Sequence, residues 1–137
     1  MAPEVIQPDE LPDTSRKGYS QARIDGGTLY VSGMSGRVGE DGDGNWIPAG
    51  PDIESQTRQA YENIEAILDE AGKELSDVAK ITSYIVDAGS NWEGVNRVMQ
   101  EEILTWEPLP CHTAIGIDRM LSDEFLLEVD VVVPMDH

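Results

Sequence analysis

The segment DIESQTRQAYENIEAILDEAGKELSDVAKITSYIVD, residues 52–87, contains the two patterns that decide the fold. Residues 53–71 carry apolar side chains at helical spacing and predict a helix, with Asp52 as its N-cap and Gly72 as the left-handed residue that ends it. Residues 79–86 alternate between two faces and predict a strand. The helix stripe consists of Ala60, Ile64, Ile67, Leu68 and Ala71, and the strand faces carry Ile81, Ser83 and Ile85 on one side and Thr82, Tyr84 and Val86 on the other.

Similar patterns on either side of this segment predict a second helix over about residues 91–103 and four further strands. The order β-β-α-β-α-β-β describes an α+β fold in which a mixed sheet has both helices on one face. Residues 39–51, GEDGDGNWIPAGP, are predicted to form an acidic loop. Residues 1–17 contain three prolines and predict a flexible arm before a single domain over residues 18–137. The four strands are predicted at residues 22–25, 29–33, 112–117 and 126–133.

The sheet of such a fold would have one face without helix cover. The chain has 9 basic and 27 acidic residues and a formal net charge of −18, and so charged a chain is not expected to expose a large apolar face. We therefore expect the subunits to associate by packing their sheets against one another.

The charge balance also argues against several classes of protein. The lysines and arginines are not clustered, whereas a nucleic-acid-binding protein carries a basic stripe and binding to a membrane surface needs a basic face. No apolar run approaches the roughly 20 residues of a membrane-spanning helix. The N-terminal sequence MAPEVIQPDELPD lacks the apolar core of a signal peptide, and a single cysteine cannot form an internal disulfide. We expect a cytoplasmic protein that binds neither nucleic acid nor a membrane.

The acidity itself has two interpretations. A net charge of −18 is destabilising at ordinary ionic strength, but molar salt shortens the Debye length to about 3 Å and removes most of the repulsion. The even spread of Asp and Glu along the chain, together with the few lysines, favours a halophilic source. An ordinary acidic surface is the alternative.

The acidic loop has the outline of a calcium site but lacks its essential residues. Asp41, Asp43 and Asn45 have the spacing of the first calcium ligands. Trp46, however, occupies the position that requires glycine, and Asp52 occupies the position of the usual glutamate. An acidic surface loop is therefore the preferred interpretation.

Cys111 and His112 are adjacent, which invites a thiol-nucleophile interpretation. Adjacent residues of a strand point to opposite faces, so we do not expect the two side chains to act together. The histidines are His112 and His137, which are too few for a zinc site. We expect no metal and no cofactor.

Two further groups are stronger candidates. Glu128 and Asp130 interrupt the apolar segment LLEVDVVV and share one face of the predicted strand. A carboxylate there could hold a water or accept a proton in a site between subunits if burial raises its pKa toward neutrality, although a strand with one solvated face is the alternative. Residues 32–36, SGMSG, end another strand in small residues, which either let a ligand approach backbone N–H groups or form a tight turn.

The chain contains, in this order, GYSQA from Gly18, LYVSG from Leu29, TRQAYENIEAILDEAG from Thr57, AKITSYIVD from Ala79, PCHTAIG from Pro110 and LLEVDVVV from Leu126. In sequence, order and spacing these segments resemble the Rid/YjgF family of reactive-intermediate (enamine and imine) deaminases. The resemblance spans about residues 18–133. It implies a chorismate-mutase-like α+β subunit, a homotrimer, and three small-molecule clefts between subunits.

The resemblance also implies site residues. The tyrosine of the family's GPYSQA-type motif matches Tyr19, although lysine and glycine precede it here. The family's strand-end glycine matches Gly33, and Ser32 and Met34 lie beside it. The glutamate on the family's last strand matches Glu128, which is implied to be catalytic.

The main departure from the family lies at His112, where the P-x-R-[ST] motif has an arginine that is understood to bind the substrate carboxylate. Losing that clamp is expected to weaken carboxylate binding roughly ten- to a hundredfold. A neutral His112 suits a neutral or aromatic ligand and, unlike arginine, can carry a proton. A nearby Glu128 would favour its protonated form. Two residues further on, Ala114 replaces a cysteine of some members.

These observations favour enamine or imine hydrolysis in clefts between subunits, with Glu128 and His112 as catalytic residues and an altered specificity. A non-catalytic trimer that binds a small molecule or regulates metabolism is the alternative, and the missing arginine supports it. An endoribonuclease or translation-inhibitor role is also attached to this family. It is disfavoured here because RNA affinity depends on Lys and Arg contacts to phosphate, and the chain carries a net charge of −18.

Overall fold

The computed structural model describes residues 2–136 and contains a six-stranded mixed sheet, a separate two-stranded hairpin and two α-helices. The strands of the large sheet follow the order β1-β2-β3-β8-β6-β7, in which β6 and β7 are parallel and all other neighbours are antiparallel. The elements are β1 Glu4–Ile6, β2 Ala22–Asp25, β3 Thr28–Ser35, β4 Arg37–Glu40, β5 Trp46–Pro48, α1 Ile53–Glu70, β6 Lys80–Val86, α2 Ala88–Val98, β7 Cys111–Ile117 and β8 Leu127–Pro134.

The predicted α+β architecture is confirmed. Both helices pack on the same face of the large sheet, α1 against β3 and β8, and α2 against β6 and β7. The buried side chains of β8 alternate with partly exposed ones along the whole strand, so one face forms the core and the other faces outward. That outward face of β8 carries Glu128 and Asp130, as the alternation predicted.

The boundaries of α1 follow from its caps. The Asp52 carboxylate accepts a hydrogen bond from the Ser55 N–H at 2.9 Å, which satisfies one of the free donors of the first turn. The helix ends at Glu70, and Gly72 follows with a φ of 75°, the left-handed conformation that favours glycine. The predicted stripe faces the core, and Ala60, Ile64, Ile67 and Leu68 have no exposed surface.

Two predicted boundaries and two predicted loops differ from the structure. The second helix starts earlier, at Ala88, and continues after Val98 as a π-helical turn over Met99–Ile103. Within the predicted flexible arm, Glu4–Ile6 pairs with β2, and Ile6 and Thr14 are buried. The predicted acidic loop contains the β4–β5 hairpin. Short strands next to Pro, Gly and Asp lack the apolar alternation on which sequence interpretation depends.

Among residues 2–136, no helix combines the length and the apolar composition that crossing a membrane requires.

Gly36 lets α1 pack directly on the chain between β3 and β4. A Cβ atom at this position would overlap the backbone of Gln56, including its carbonyl oxygen, and neither backbone can move without displacing the helix. We predict that Gly36→Ala lowers the free energy of unfolding by about 1–3 kcal/mol, the usual cost of overpacking. Urea denaturation followed by circular dichroism measures the change.

Gly42→Ala is the matched control, because a Cβ atom at Gly42 meets nothing within 4 Å. It should leave stability unchanged or slightly increased, since alanine restricts the unfolded chain. Equal stabilities of the two variants would contradict the assigned role of Gly36.

Candidate functional site

A cleft of about 970 Å³ opens beside the end of β3. Its lining comes from the segment before β2, from β3 and β8, from the β4–β5 hairpin and from residues between 120 and 125. Polar and charged groups line it together with the apolar side chains of Met120, Leu121 and Phe125. It is therefore a site that can hold a small molecule with one charged and one apolar end.

Glu128 enters the cleft from β8, and its carboxyl group packs against Gly33 of β3. The pairing of β3 with β8 shifts register between Val31 and Met34, so Gly33 lies in a bulge. A Cβ atom at Gly33 would overlap the carboxyl group of Glu128, and only glycine leaves this space free. Two of the site residues implied by the sequence are thus in direct contact.

Burial raises the pKa of Glu128 above its ordinary value, and neighbouring Asp130 adds to the shift, while Arg37 counteracts it. A carboxyl group whose pKa lies closer to neutrality can both take up and release a proton under ordinary conditions, as general acid–base catalysis requires. Burial raises the pKa of Asp130 as well, but Asp130 does not line the cleft. Of the two carboxylates singled out in the sequence, Glu128 is the one with access to a ligand.

Arg37, which the sequence analysis missed, is a buried cation in the same cleft. Its exposed fraction is 5%, and its guanidinium donates a hydrogen bond to Gln21 Oε1 at 3.1 Å. The guanidinium also lies 4.0 Å from the ring centroid of Trp46. Burial lowers the pKa of Arg37, whereas the Tyr19 phenol and Glu128 favour its charged form. The sequence offered one signal for it, its place directly after the small residues 32–36.

The β4–β5 hairpin is fixed beside the cleft by contacts between cations and Trp46. Lys17 Nζ lies 4.6 Å from the centroid of the Trp46 ring, donates to the Gly44 carbonyl at 2.6 Å and pairs with Glu40 at 3.2 Å. With Arg37 also over this ring, the indole holds two positive groups close to the site. The residues predicted to be an acidic loop therefore line their own chain's cleft.

Of the other predicted ligand-binding residues, Tyr19 and Ser32 line the cleft and Met34 does not. The Thr14 hydroxyl donates to the Tyr19 carbonyl at 2.7 Å and holds this segment in position. The Ser32 hydroxyl donates to the Ser20 carbonyl at 2.6 Å, so it is already used within the chain. Met34 has no exposed surface and packs in the core, so it belongs to the core rather than to the cleft.

His112 lies on the opposite face of the sheet from Glu128. His112 Nε2 lies 2.8 Å from Ser83 Oγ on the helix-covered face, whereas Glu128 aligns with Tyr84 on the other face. Burial lowers the pKa of His112, and Lys80 lowers it further, so the ring is neutral near pH 7. The expectation that a nearby Glu128 favours protonated His112 is therefore wrong within one chain.

β7, which carries His112 and Ala114, is an edge strand of the large sheet. The Trp92 ring from α2 lies 6.0 Å, centroid to centroid, from the ring of His112. Ala114 is exposed, as are Cys111 and Ile115. An exposed edge offers its backbone and side chains to another chain. Neither His112 nor Ala114 lines the cleft that contains Glu128 of the same chain.

The acidic segment between β4 and β5 satisfies its own polar groups. The Asp41 carboxylate accepts hydrogen bonds from the N–H groups of Asp43 at 2.8 Å and Asn45 at 2.9 Å, and these bonds lower its pKa. Across residues 2–136, no group of three or more His, Cys, Asp or Glu side chains is arranged to hold a metal ion.

Comparison with known proteins identifies relatives along nearly the whole chain. The family model described as endoribonuclease L-PSP matches residues 11–135. A RutC family protein of Pyrococcus abyssi is 36% identical over 132 residues, which is 96% of this chain and 97% of the relative. A protein of Dermatophagoides farinae named 2-iminobutanoate/2-iminopropanoate deaminase is 28% identical over 136 residues, 99% of this chain and 100% of the relative.

Solved structures share the architecture as well. The structure titled protein YJGH superposes with a TM-score of 0.81 at 28% sequence identity, covering 98% of this chain and 97% of that one. The RutC family protein YjgH of Escherichia coli is also 34% identical to this chain over 116 residues, covering 85% of it and 83% of the relative.

The raised pKa of Glu128 predicts a pH-dependent stability difference. A carboxyl group with a raised pKa in the folded state stabilises the fold below its ordinary pKa of 4.5, and this contribution is lost as the pH rises through the folded-state value. Glu128→Gln should therefore gain stability relative to wild type as the pH increases from 4 to 7. Urea denaturation at several pH values measures the difference.

Glu102→Gln provides a control of opposite sign, because Arg58 lowers the pKa of Glu102 through a hydrogen-bonded ion pair. This variant should lose stability relative to wild type as the pH rises. A Glu128→Gln curve parallel to that of wild type would show that burial does not act on this carboxyl group as stated.

Proposed function

Because the chain belongs to the Rid/YjgF family, we propose that it hydrolyses small enamines or imines in a deaminase-type reaction. One observation carries the proposal. The Glu128 carboxyl group lies in a cleft, packed against Gly33, with a pKa raised by burial. The name of the mite relative, a deaminase of two 2-imino acids, supports imines as the substrate class.

The chemistry needs a water and a proton carrier. Water adds to the carbon of the C=N bond while the nitrogen takes up a proton, which gives a carbinolamine. The C–N bond then breaks, the carbonyl group forms and ammonia leaves. Glu128 accepts the proton of the attacking water and returns it to the departing nitrogen, a role that suits a carboxyl group with a raised pKa. Tyr19 and the Gly33 backbone orient the ligand beside it.

We further propose that the functional unit is a homotrimer with a ligand cleft at each subunit interface. Within one chain, His112 and Glu128 lie on opposite faces of the sheet, so only a neighbouring subunit could bring a His112 to the cleft. The exposed edge strand β7 supports this arrangement, because it leaves Ala114 and Ile115 uncovered in the isolated chain. A neutral His112 in place of the family's arginine would then alter the specificity.

RNA cleavage, suggested by the family description, has little support from the charges. Six of the nine basic side chains form ion pairs with carboxylates among the described residues. Basic groups neutralised in this way do not form the phosphate-binding stripe that RNA requires.

Turnover by the Glu128→Gln variant tests the reaction. Removing a general acid–base group is expected to reduce the rate of ammonia release from imines by about 10²- to 10⁴-fold. Asp130→Asn is the matched control, because Asp130 shares the strand face and the burial-raised pKa but lies outside the cleft. The control should retain activity within a few-fold of wild type. Both should be assayed in molar KCl with carboxylate-bearing and neutral imines.

Equal losses in the two variants would contradict the role of Glu128. A wild type that binds an imine analogue without releasing ammonia would support the alternative, a non-catalytic binder or regulator. In the same assay His112→Arg shows whether the residue of β7 reshapes specificity, since the variant restores the charged clamp that the family carries.

The trimer has its own test. Light scattering should give three times the chain mass of 15.0 kDa for wild type. Ile115→Lys, at an exposed position of β7, should dissociate the assembly because it places a charge in the proposed interface. Val5→Lys, at an exposed position of the opposite edge strand β1, should leave the mass unchanged. A monomeric wild type would refute the interface.

A further inference from the structure

Arg37 differs from every other arginine of the chain. The other five, at positions 16, 23, 58, 97 and 119, each form an ion pair with an Asp or Glu side chain. Arg37 forms no such pair among the described residues, although it is the one that is 95% buried, with an exposed fraction of 5%. A buried charge normally has a counterion, because desolvation without one is costly.

The groups around Arg37 are polar or aromatic and leave part of its positive charge uncompensated. Its printed hydrogen bond goes to the neutral amide oxygen of Gln21, and one face of the guanidinium rests on Trp46. Glu128 and Glu40 act on it electrostatically, but neither lies within ion-pair distance. The guanidinium has further N–H donors in a rigid fork that matches a carboxylate.

We propose that Arg37 is the anion-binding group of the cleft and that the substrates are small carboxylate-bearing imines or enamines. The substrate carboxylate takes the place of the missing counterion on Arg37, and the C=N carbon lies next to Glu128. The apolar substituent faces Met120 and Leu121 on the other side of the cleft. This inference rests on the proposed function and names its substrate class.

Lys17, the other cation of the cleft, is not equivalent to Arg37. Its ammonium group already pairs with Glu40 and donates to the Gly44 carbonyl. It is therefore neutralised within the hairpin, while Arg37 remains without a partner of opposite charge at contact distance. The distinction predicts that a carboxylate ligand responds to Arg37.

This assignment also changes the consequence of the histidine on β7. The sequence analysis expected that His112, in place of an arginine, would disfavour carboxylate substrates. Arg37 supplies a guanidinium from β4 of the same chain that carries Glu128, so the loss on β7 does not remove carboxylate recognition.

Binding of a stable analogue tests the proposal without requiring turnover. Isothermal titration calorimetry gives the dissociation constants of 2-oxobutanoate, the product expected from 2-iminobutanoate, and of its neutral analogue 2-oxobutanamide, at a fixed KCl concentration. Wild type should prefer the carboxylate. Arg37→Gln should lose roughly ten- to a hundredfold in affinity for 2-oxobutanoate and bind 2-oxobutanamide as before. Arg23→Gln, at an exposed ion pair of β2, should change neither.

Arg37→Lys keeps the charge but loses the fork, and its affinity for 2-oxobutanoate should fall between those of wild type and Arg37→Gln. If Arg37→Gln does not fold, this variant and the wild-type preference decide the question. Equal binding of the two probes by wild type would overturn the proposal, as would equal losses for both probes in either Arg37 variant.

The failure of this inference can be told apart from the failure of the proposed reaction. Turnover of neutral imines as fast as carboxylate-bearing ones would keep hydrolysis by Glu128 and overturn the role of Arg37. Carboxylate-selective binding that depends on Arg37, without any ammonia release, would keep the anion site and overturn hydrolysis.

Discussion

The cleft depends on a one-residue slip in the pairing of β3 with β8. On β3 the bulge places Gly33 against the carboxyl group of Glu128 and turns Met34 into the core. The chain then passes Gly36, where α1 packs so closely that no side chain fits, and begins β4 at Arg37. A regular ladder would change which face each of these residues occupies, because strand neighbours alternate. The bulge therefore sets both the position of the carboxyl group and the approach of the arginine.

The charges of the chain give this local arrangement its importance. A net charge of −18 repels anions at a distance, although salt at 0.1 M screens exposed charges beyond about 10 Å. A guanidinium inside the cleft acts at contact distance, where screening is weak, and can hold an anion that the surface as a whole disfavours. Most other cations are paired on the surface and offer little attraction. Selectivity for a small anion thus depends on Arg37 far more than on the average potential.

Much of the fold could be predicted because its signals are local. Alternation along β6 and β8 identified the strands and their faces, and Asp52 fixed the start of α1. β1 and the hairpin were missed because three- and four-residue strands beside Pro, Gly and Asp carry no alternation. In the site, the resemblance led to Glu128 and Gly33. It led to Met34 incorrectly, because a bulge cannot be read from spacing. Arg37 was missed because burial of an arginine is a property of the packed chain.

The two faces of the sheet divide the candidate groups between subunits. Glu128 and Arg37 lie in one chain's cleft, whereas His112 lies on the helix-covered face of β7 beside Ser83, with a lowered pKa. A histidine that is neutral near pH 7 contributes no net attraction for an anion, even if a neighbouring subunit brings it to the interface. Under the proposal made for Arg37, anion recognition and proton transfer both belong to one chain, and the edge strand of the neighbour closes the cleft. A site of this kind would use assembly to shape its specificity, while its two charged groups keep their positions relative to each other through the bulge of β3.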